Sequence, residues 1–207
     1  GERGKAAFLH ATRYYGEQRG RRMAQRAIRD GKELTYENYC RYGEWVNTEE
    51  IRQMGLANRT EIASMSPDYE MHIFACPWHS QFKEMGLKEA GLAYCRDLDA
   101  SISRGFNPEQ EYLVTQTLHD HDYCIQTVKN AGITENSKLD KNLAGLRSFE
   151  YHCAHLYWSF YEISGAIFGA EGEAAGRQVL QDFADEYGEN LADILMGYSD
   201  TNFNLAE

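Results

Sequence analysis

An α+β fold is predicted: a small antiparallel sheet of about four strands in two hairpins, with a central helix, packed by long N- and C-terminal helices. Three observations lead there. The only prolines, Pro67, Pro77 and Pro108, lie between positions 67 and 108 and leave both flanks free of the strongest helix breaker. Apolar residues on those flanks recur at three- to four-residue spacing, the signature of one helix face. Between the flanks, two segments alternate β-branched and aromatic residues about short polar turns, the pattern of hairpins.

Along the chain, the stretch from about Lys5 to Arg29 reads as a helix, with an apolar stripe at Phe8, Ala11, Tyr15, Met23 and Ala27 and Gly31 as a C-terminal stop. Its arginines, Arg19, Arg21, Arg22 and Arg26, mix with Glu and Gln and are expected to form a solvated face. Residues 60–66 and 69–76 predict strands about the Pro67-Asp68 turn, and 112–119 and 123–130 predict a second pair about an Asp-His-Asp turn. Residues 81–103 between the hairpins are predicted helical. Leu143, Leu146, Phe149, Cys153, Leu156, Phe160 and Ile167 predict a helix over about 140–168. Val179, Phe183, Tyr187, Leu191 and Leu195 recur every four residues and predict another, joined through Gly169–Gly172. With no Pro/Gly/Ser-rich linker and no fixed repeat, 1–207 is read as a single α+β domain.

Composition narrows the function. A chain of 207 residues with 43% hydrophobic and 26% charged residues can bury a core, so disordered, collagenous and disulfide-miniprotein classes are excluded. A mean hydropathy of -0.62, without an apolar run of spanning length, predicts no membrane segment. The 21 Lys+Arg against 32 Asp+Glu give a net charge of -11. Nucleic acids and anionic membrane surfaces need the opposite balance, so neither is an expected partner. Five cysteines, an odd number, follow a start at Gly1–Lys5 that has no charged-then-apolar leader. Reduced thiols in a cytoplasm are therefore expected rather than a disulfide framework.

Cys76 has the most informative setting. It ends a strand and precedes Pro77, a residue favoured at the first position of a helix. A thiol there would feel unpaired N–H groups and the positive end of the helix dipole, which lower its pKa. Strand alternation places His72, Phe74 and Cys76 on one face, with His79 just beyond. A buried, inert cysteine closing a strand is the plainer reading of that feature alone. Cys95 and Asp99, four apart, share a helix face, where Asp99 suits a base, an orienter or a substrate acceptor. His119, Asp120, His121 and Asp122 form a turn beside Cys124 that folds the chain back and could also move protons or hold a metal. His152 and His155, with Glu162 further along, could ligate a metal or serve as interfacial residues with ordinary partners. No G-x-G-x-x-G, Walker or G-x-S-x-G pattern appears, which argues against ATP, NAD and serine-hydrolase chemistry.

Five pieces in order carry a resemblance: Cys76-Pro77-Trp78, then Lys83-Glu84-Met85-Gly86-Leu87, then Tyr94-Cys95 with Asp99, then Gly105-Phe106-Asn107-Pro108, then Thr117-Leu118 with Asp122 and Cys124. Together they resemble the L-2-amino-thiazoline-4-carboxylic acid hydrolase family, most strongly over about 70–130. The likeness is looser at Phe168-Gly169 and Glu171-Gly172-Glu173. One position departs: where the family's turn carries Gly-Asp before its last cysteine, this chain has His121-Asp122.

The resemblance implies a small-molecule substrate, a cyclic amidine bearing a carboxylate, opened by water to a carbamoyl-cysteine. Such a reaction needs a nucleophile or activated water, a proton donor to the leaving atom and a carboxylate anchor. On that basis Cys76 is expected as nucleophile or substrate contact and Asp99 as base or water-orienting group. Cys95 and Cys124 would line the pocket, His119 or His121 would carry the proton, and Arg96 or Arg104 would hold the carboxylate. Asn107 and Asp122, from the matching pieces, are expected near the substrate. The alternative is a non-catalytic domain that binds a small molecule or a metal through the same Cys, His and Asp residues. No cofactor is required by the sequence; a divalent metal stays open. So does a homo-oligomer, since 14 tyrosines suit association between copies as well as a rich core.

Overall fold

The computed structural model describes residues 1–206. Helix α1 (Glu2–Arg29) leads into two short helices, α2 (Tyr36–Arg41) and α3 (Glu49–Gln53). Strands β1 (Arg59–Ser64) and β2 (Tyr69–Ala75) form the first hairpin, followed by α4 (Pro77–Glu84) and α5 (Lys88–Phe106). Strands β3 (Tyr112–Gln116) and β4 (Cys124–Val128) form the second. The chain ends with α6 (Phe149–Phe168), α7 (Ala170–Tyr187) and α8 (Glu189–Met196). The predicted α+β architecture is the one observed.

Sheet order is β1-β2-β4-β3, antiparallel throughout, so the two hairpins join through their second arms. Ile73 pairs with Cys124, and Val114 with Gln126. Because side chains alternate along a strand, these four point to one face of the sheet, toward α5. On the opposite face His72 and Phe74 pack against Tyr123 in tilted contacts, with ring centroids 4.9 and 5.2 Å from its own. The expectation that Cys76 shares the face of His72 and Phe74 is corrected here. β2 ends at Ala75, the chain turns into α4, and Cys76 comes round to the side of Ile73.

Three helix boundaries also differ from the sequence reading. The predicted helix over 81–103 is two helices, because Gly86 at φ 69° takes a left-handed conformation that ends the first. The predicted helix over 140–168 begins only at Phe149, where the Ser148 hydroxyl accepts the Tyr151 N–H at 3.3 Å. Before it the chain holds a single 3₁₀ turn, Leu143–Gly145. The C-terminal pattern, continuous by spacing, divides at Gly188 into α7 and α8.

The main core lies between α1 and α5, where Tyr15, Met23, Ala27, Leu98, Ile102 and Phe106 pack together. The two helices approach closely at Gly20, where a Cβ would collide with the backbone of Ile102 and Phe106. Alanine at 20 would gain about 1 kcal/mol of helix propensity. Forcing two backbones apart costs more, since overpacking is typically destabilising by about 1–3 kcal/mol and backbone yields less than side chains. Gly20→Ala is therefore expected to lower Tm in a calorimetric melt, and an unchanged or raised Tm would show that the helices separate freely.

The arginines of α1 overturn the expected solvated face. Arg22, Arg26 and Arg19 are buried, at 0%, 5% and 9% exposure. Arg21 alone of the four stays on the surface, paired with Glu17 at 2.8 Å. Glu44, itself 1% exposed, meets Arg22 at 2.7 Å and Arg26 at 2.8 Å. Arg22 also donates to the Phe203 carbonyl, and Gln25 holds the Asn204 carbonyl at 2.8 Å, which fastens the C-terminal segment to α1. His155 Nε2 donates to Gln18 at 2.9 Å and its Nδ1 faces Arg22, while His152 Nε2 donates to the Glu44 carbonyl at 3.0 Å. Of the two readings open for these histidines, ordinary partners at a helix interface is the observed one.

No helix among the described residues is long and apolar enough to cross a membrane.

Candidate active site

A cavity of about 480 Å³ opens between the inner face of the sheet, α1, α5 and the segment after α2. Its volume lies in the range of roughly 300–1,000 Å³ common for small-molecule sites. Helix α5 contributes Cys95, Leu98, Asp99 and Ile102, the i, i+3, i+4 and i+7 positions of one face. The sheet contributes Ile73, Val114, Cys124 and Gln126, and the start of α4 contributes Cys76 and Trp78. Arg19 enters from α1, Glu44 to Asn47 from the loop after α2, and Lys141 from the segment before α6.

Asp99 is the carboxyl of this wall that no cation pairs directly among the described residues. Its Oδ2 accepts from Gln126 Nε2 at 2.8 Å, and Gln126 Oε1 accepts from the buried Tyr112 hydroxyl at 2.6 Å. That chain fixes the amide and through it one carboxylate oxygen. Burial raises the pKa of Asp99, and only in part do Arg19 and the Gln126 hydrogen bond pull it back. A carboxyl raised in this way is closer to the pH at which it can both take and return a proton.

The thiols behave differently from the sequence expectation. All five cysteines are free. Cys76 caps the N-terminus of α4, and the N–H groups of His79 and Trp78 do lower its pKa, but burial outweighs them and the net shift is upward. Burial likewise raises Cys95 strongly and Cys124 to about 11, with Cys76 and Asp99 adding to both. The N–H groups at the start of α4 do act on Cys76, but desolvation is the larger effect. These thiols stay protonated near neutral pH, whereas a nucleophile needs the thiolate.

The remaining expected residues divide. His119 is buried behind the wall, with its Nε2 3.4 Å from Cys95 Sγ and its ring 5.0 Å from that of His79. Burial, then His79, lowers its pKa, so it is neutral near pH 7. His121 and Asp122 are exposed on the turn outside the cavity, and His121 Nδ1 lies 3.0 Å from Asp120. Arg96 pairs with Asp120 at 2.7 Å, and Arg104 with Glu17 at 2.9 Å, both away from the cavity. Asn107 ends α5, donating to the Leu34 carbonyl at 2.9 Å and accepting from the Glu109 N–H at 3.0 Å. Of the ten expected positions, the cavity wall thus gathers Cys76, Cys95, Asp99 and Cys124. Among the described residues no three His, Cys, Asp or Glu side chains are placed to hold a metal ion.

Sequence reasoning missed Arg19, Trp45, Asn47, Gln126 and Lys141 as wall residues. For Gln126 a signal existed, since it lies two residues from Cys124 in a strand and must share its face. The others come from segments distant in sequence and carried none.

No curated protein and no solved structure matches the chain. The family model described as L-2-amino-thiazoline-4-carboxylic acid hydrolase matches residues 1–124, a span that holds every cavity residue named above except Gln126 and Lys141. The chain therefore belongs to the L-2-amino-thiazoline-4-carboxylic acid hydrolase family.

Proposed function

We propose that this cavity hydrolyses a small cyclic amidine carboxylate of the 2-amino-thiazoline-4-carboxylate type, using water activated by Asp99. The observation that carries the reading is a carboxyl group with a raised pKa, held by one oxygen to Gln126, in a cavity wall shared with Leu98, Ile102, Ile73, Val114 and three protonated thiols. The oxygen left without that bond is the one offered to a water. Water adds to the ring carbon between N and S while Asp99 takes one of its protons and the C=N electron pair passes to the ring nitrogen, giving a tetrahedral carbon. When that carbon collapses, either the ring C–S bond breaks, with the electron pair on sulfur, or the C–N bond breaks, with the pair on nitrogen. The proton on Asp99 goes to the leaving atom, and the hydroxyl added by water passes its proton to the ring nitrogen as its oxygen becomes the carbamoyl oxygen. Cys76, Cys95 and Cys124 contact the ring as thiols in this scheme.

Incubation of the protein with 2-amino-thiazoline-4-carboxylate, followed by mass spectrometry, tests the reading. Carbamoyl-cysteine is expected, and free thiol in the product distinguishes C–S from C–N cleavage. Cys76→Ser should keep turnover within about tenfold, since a hydroxyl replaces a contact rather than a nucleophile. Saturable binding of the ring acid without product would favour a binding domain instead.

A further inference from the structure

We propose that Arg19 is the carboxylate seat of this cavity, and that Trp45 and Asn47 complete a site selective for ligands carrying an anion and a hydrogen-bond-donating amine together. The inference deepens the hydrolase reading and rests on it for the identity of the ring, though not for the presence of an anion seat. Buried polar groups in native proteins nearly always have partners, so each exception calls for an explanation. This cavity wall holds three: Arg19 Nε, Trp45 Nε1 and Asn47 Oδ1 are buried without a hydrogen-bond partner. The first two are donors and the third is an acceptor. A carboxylate accepts from both donors, and an amidine N–H answers the acceptor.

Charge points the same way. The chain carries a net charge of -11, yet three cations line this cavity. Arg52 is paired with Glu49 at 3.5 Å, which leaves two: Arg19, and Lys141, whose ammonium lies over Gly43. Neither forms an ion pair with a carboxylate among the described residues, whereas the other carboxylate of the wall, Glu44, is taken by Arg22 and Arg26. Arg19 feels Glu44 and Asp99 through space but has no carboxylate in direct contact among the described residues, and an anionic ligand would supply one. Lys141 is exposed along part of its length, and its pKa is lowered chiefly by burial of the ammonium end; it belongs to the rim, where it steers rather than seats. Guanidinium also suits a planar two-oxygen anion better than an ammonium does.

The test uses calorimetric binding of three probes to the intact protein: thiazolidine-4-carboxylate, a ring acid without the amidine; its neutral carboxamide; and 2-amino-2-thiazoline, an amidine without the acid. For wild type, the ring acid is expected to bind about 10- to 100-fold tighter than its carboxamide, the range of a charged hydrogen-bonded contact. Arg19→Met should abolish that preference and leave the affinity for 2-amino-2-thiazoline within about threefold. Arg19→Lys should restore part of the preference. Equal binding of acid and carboxamide by wild type, or no binding of the acid, overturns the proposal, and that comparison needs no variant to fold. If the acid preference depends on Arg19 but 2-amino-thiazoline-4-carboxylate is not turned over, the anion seat stands and the hydrolase reading falls.

Discussion

Asp99→Asn is expected to lower kcat by roughly 1,000-fold, within the range lost when a general base is removed, while leaving the fold in place. Asparagine keeps an oxygen to accept from Gln126 Nε2, so the hydrogen-bond chain from Tyr112 survives. What it lacks is the capacity to take a proton. The pH profile separates this role from a structural one. A base works only when ionised, so wild-type kcat should rise with pH through the pKa of Asp99 in the complex, which burial raises from the ordinary aspartate value. Arg19 is among the groups that pull this pKa down, and a carboxylate seated on Arg19 would weaken that pull and strengthen the base in the loaded cavity. The residual activity of Asp99→Asn should show no such limb. Steady-state rates from pH 4 to pH 8 check both points, and an unchanged acid limb in the variant would assign the titration to another group.

Glu44→Gln is expected to be the most destabilising single change near the site, by about 3–5 kcal/mol. For a chain of this size that lowers Tm by roughly 10 °C. The reason is asymmetric. Glu44 and Arg22 are both fully buried, and removing the carboxylate charge leaves Arg22 and Arg26 without compensation. Burial by itself raises the pKa of Glu44, but Arg22 and then Arg26 more than offset it, taking it from 4.5 to about 2. A group whose folded pKa is depressed contributes stability above its unfolded pKa and loses it as pH falls through the folded value. The contribution here, about 3 kcal/mol, is therefore present above pH 4.5 and lost between there and pH 2. His152, lowered mainly by burial from 6.5 to about 3, begins the decline earlier, because the unfolded chain takes up its proton first. Melting curves of wild type and Glu44→Gln at pH 7 and pH 3 check this: the gap between them should narrow in acid. A constant gap would mean that the loss comes from packing and not from charge.

What the sequence showed and what it hid follows physical lines. The hairpins were legible because a half-buried sheet imposes alternation, and Cys95 with Asp99 because one helix face imposes a four-residue spacing. The same spacing rules out Arg96, which follows Cys95 by one position and leaves the face occupied by Cys95, Leu98, Asp99 and Ile102. The buried arginines of α1 were read as solvated because their counter-ion, Glu44, lies outside the helix, and no local pattern records a pairing across 22 and 18 positions. Trp45 and Asn47 share that segment and were invisible for the same reason. The shift at Cys76 depends on how much chain covers it, which spacing does not encode.

The most direct test of the central claim is turnover of 2-amino-thiazoline-4-carboxylate by wild type and Asp99→Asn in ¹⁸O-enriched water. Wild type should release carbamoyl-cysteine with one ¹⁸O in the carbamoyl group, and Asp99→Asn should release almost none. Absence of product from wild type, or equal labelled product from both proteins, would contradict the account.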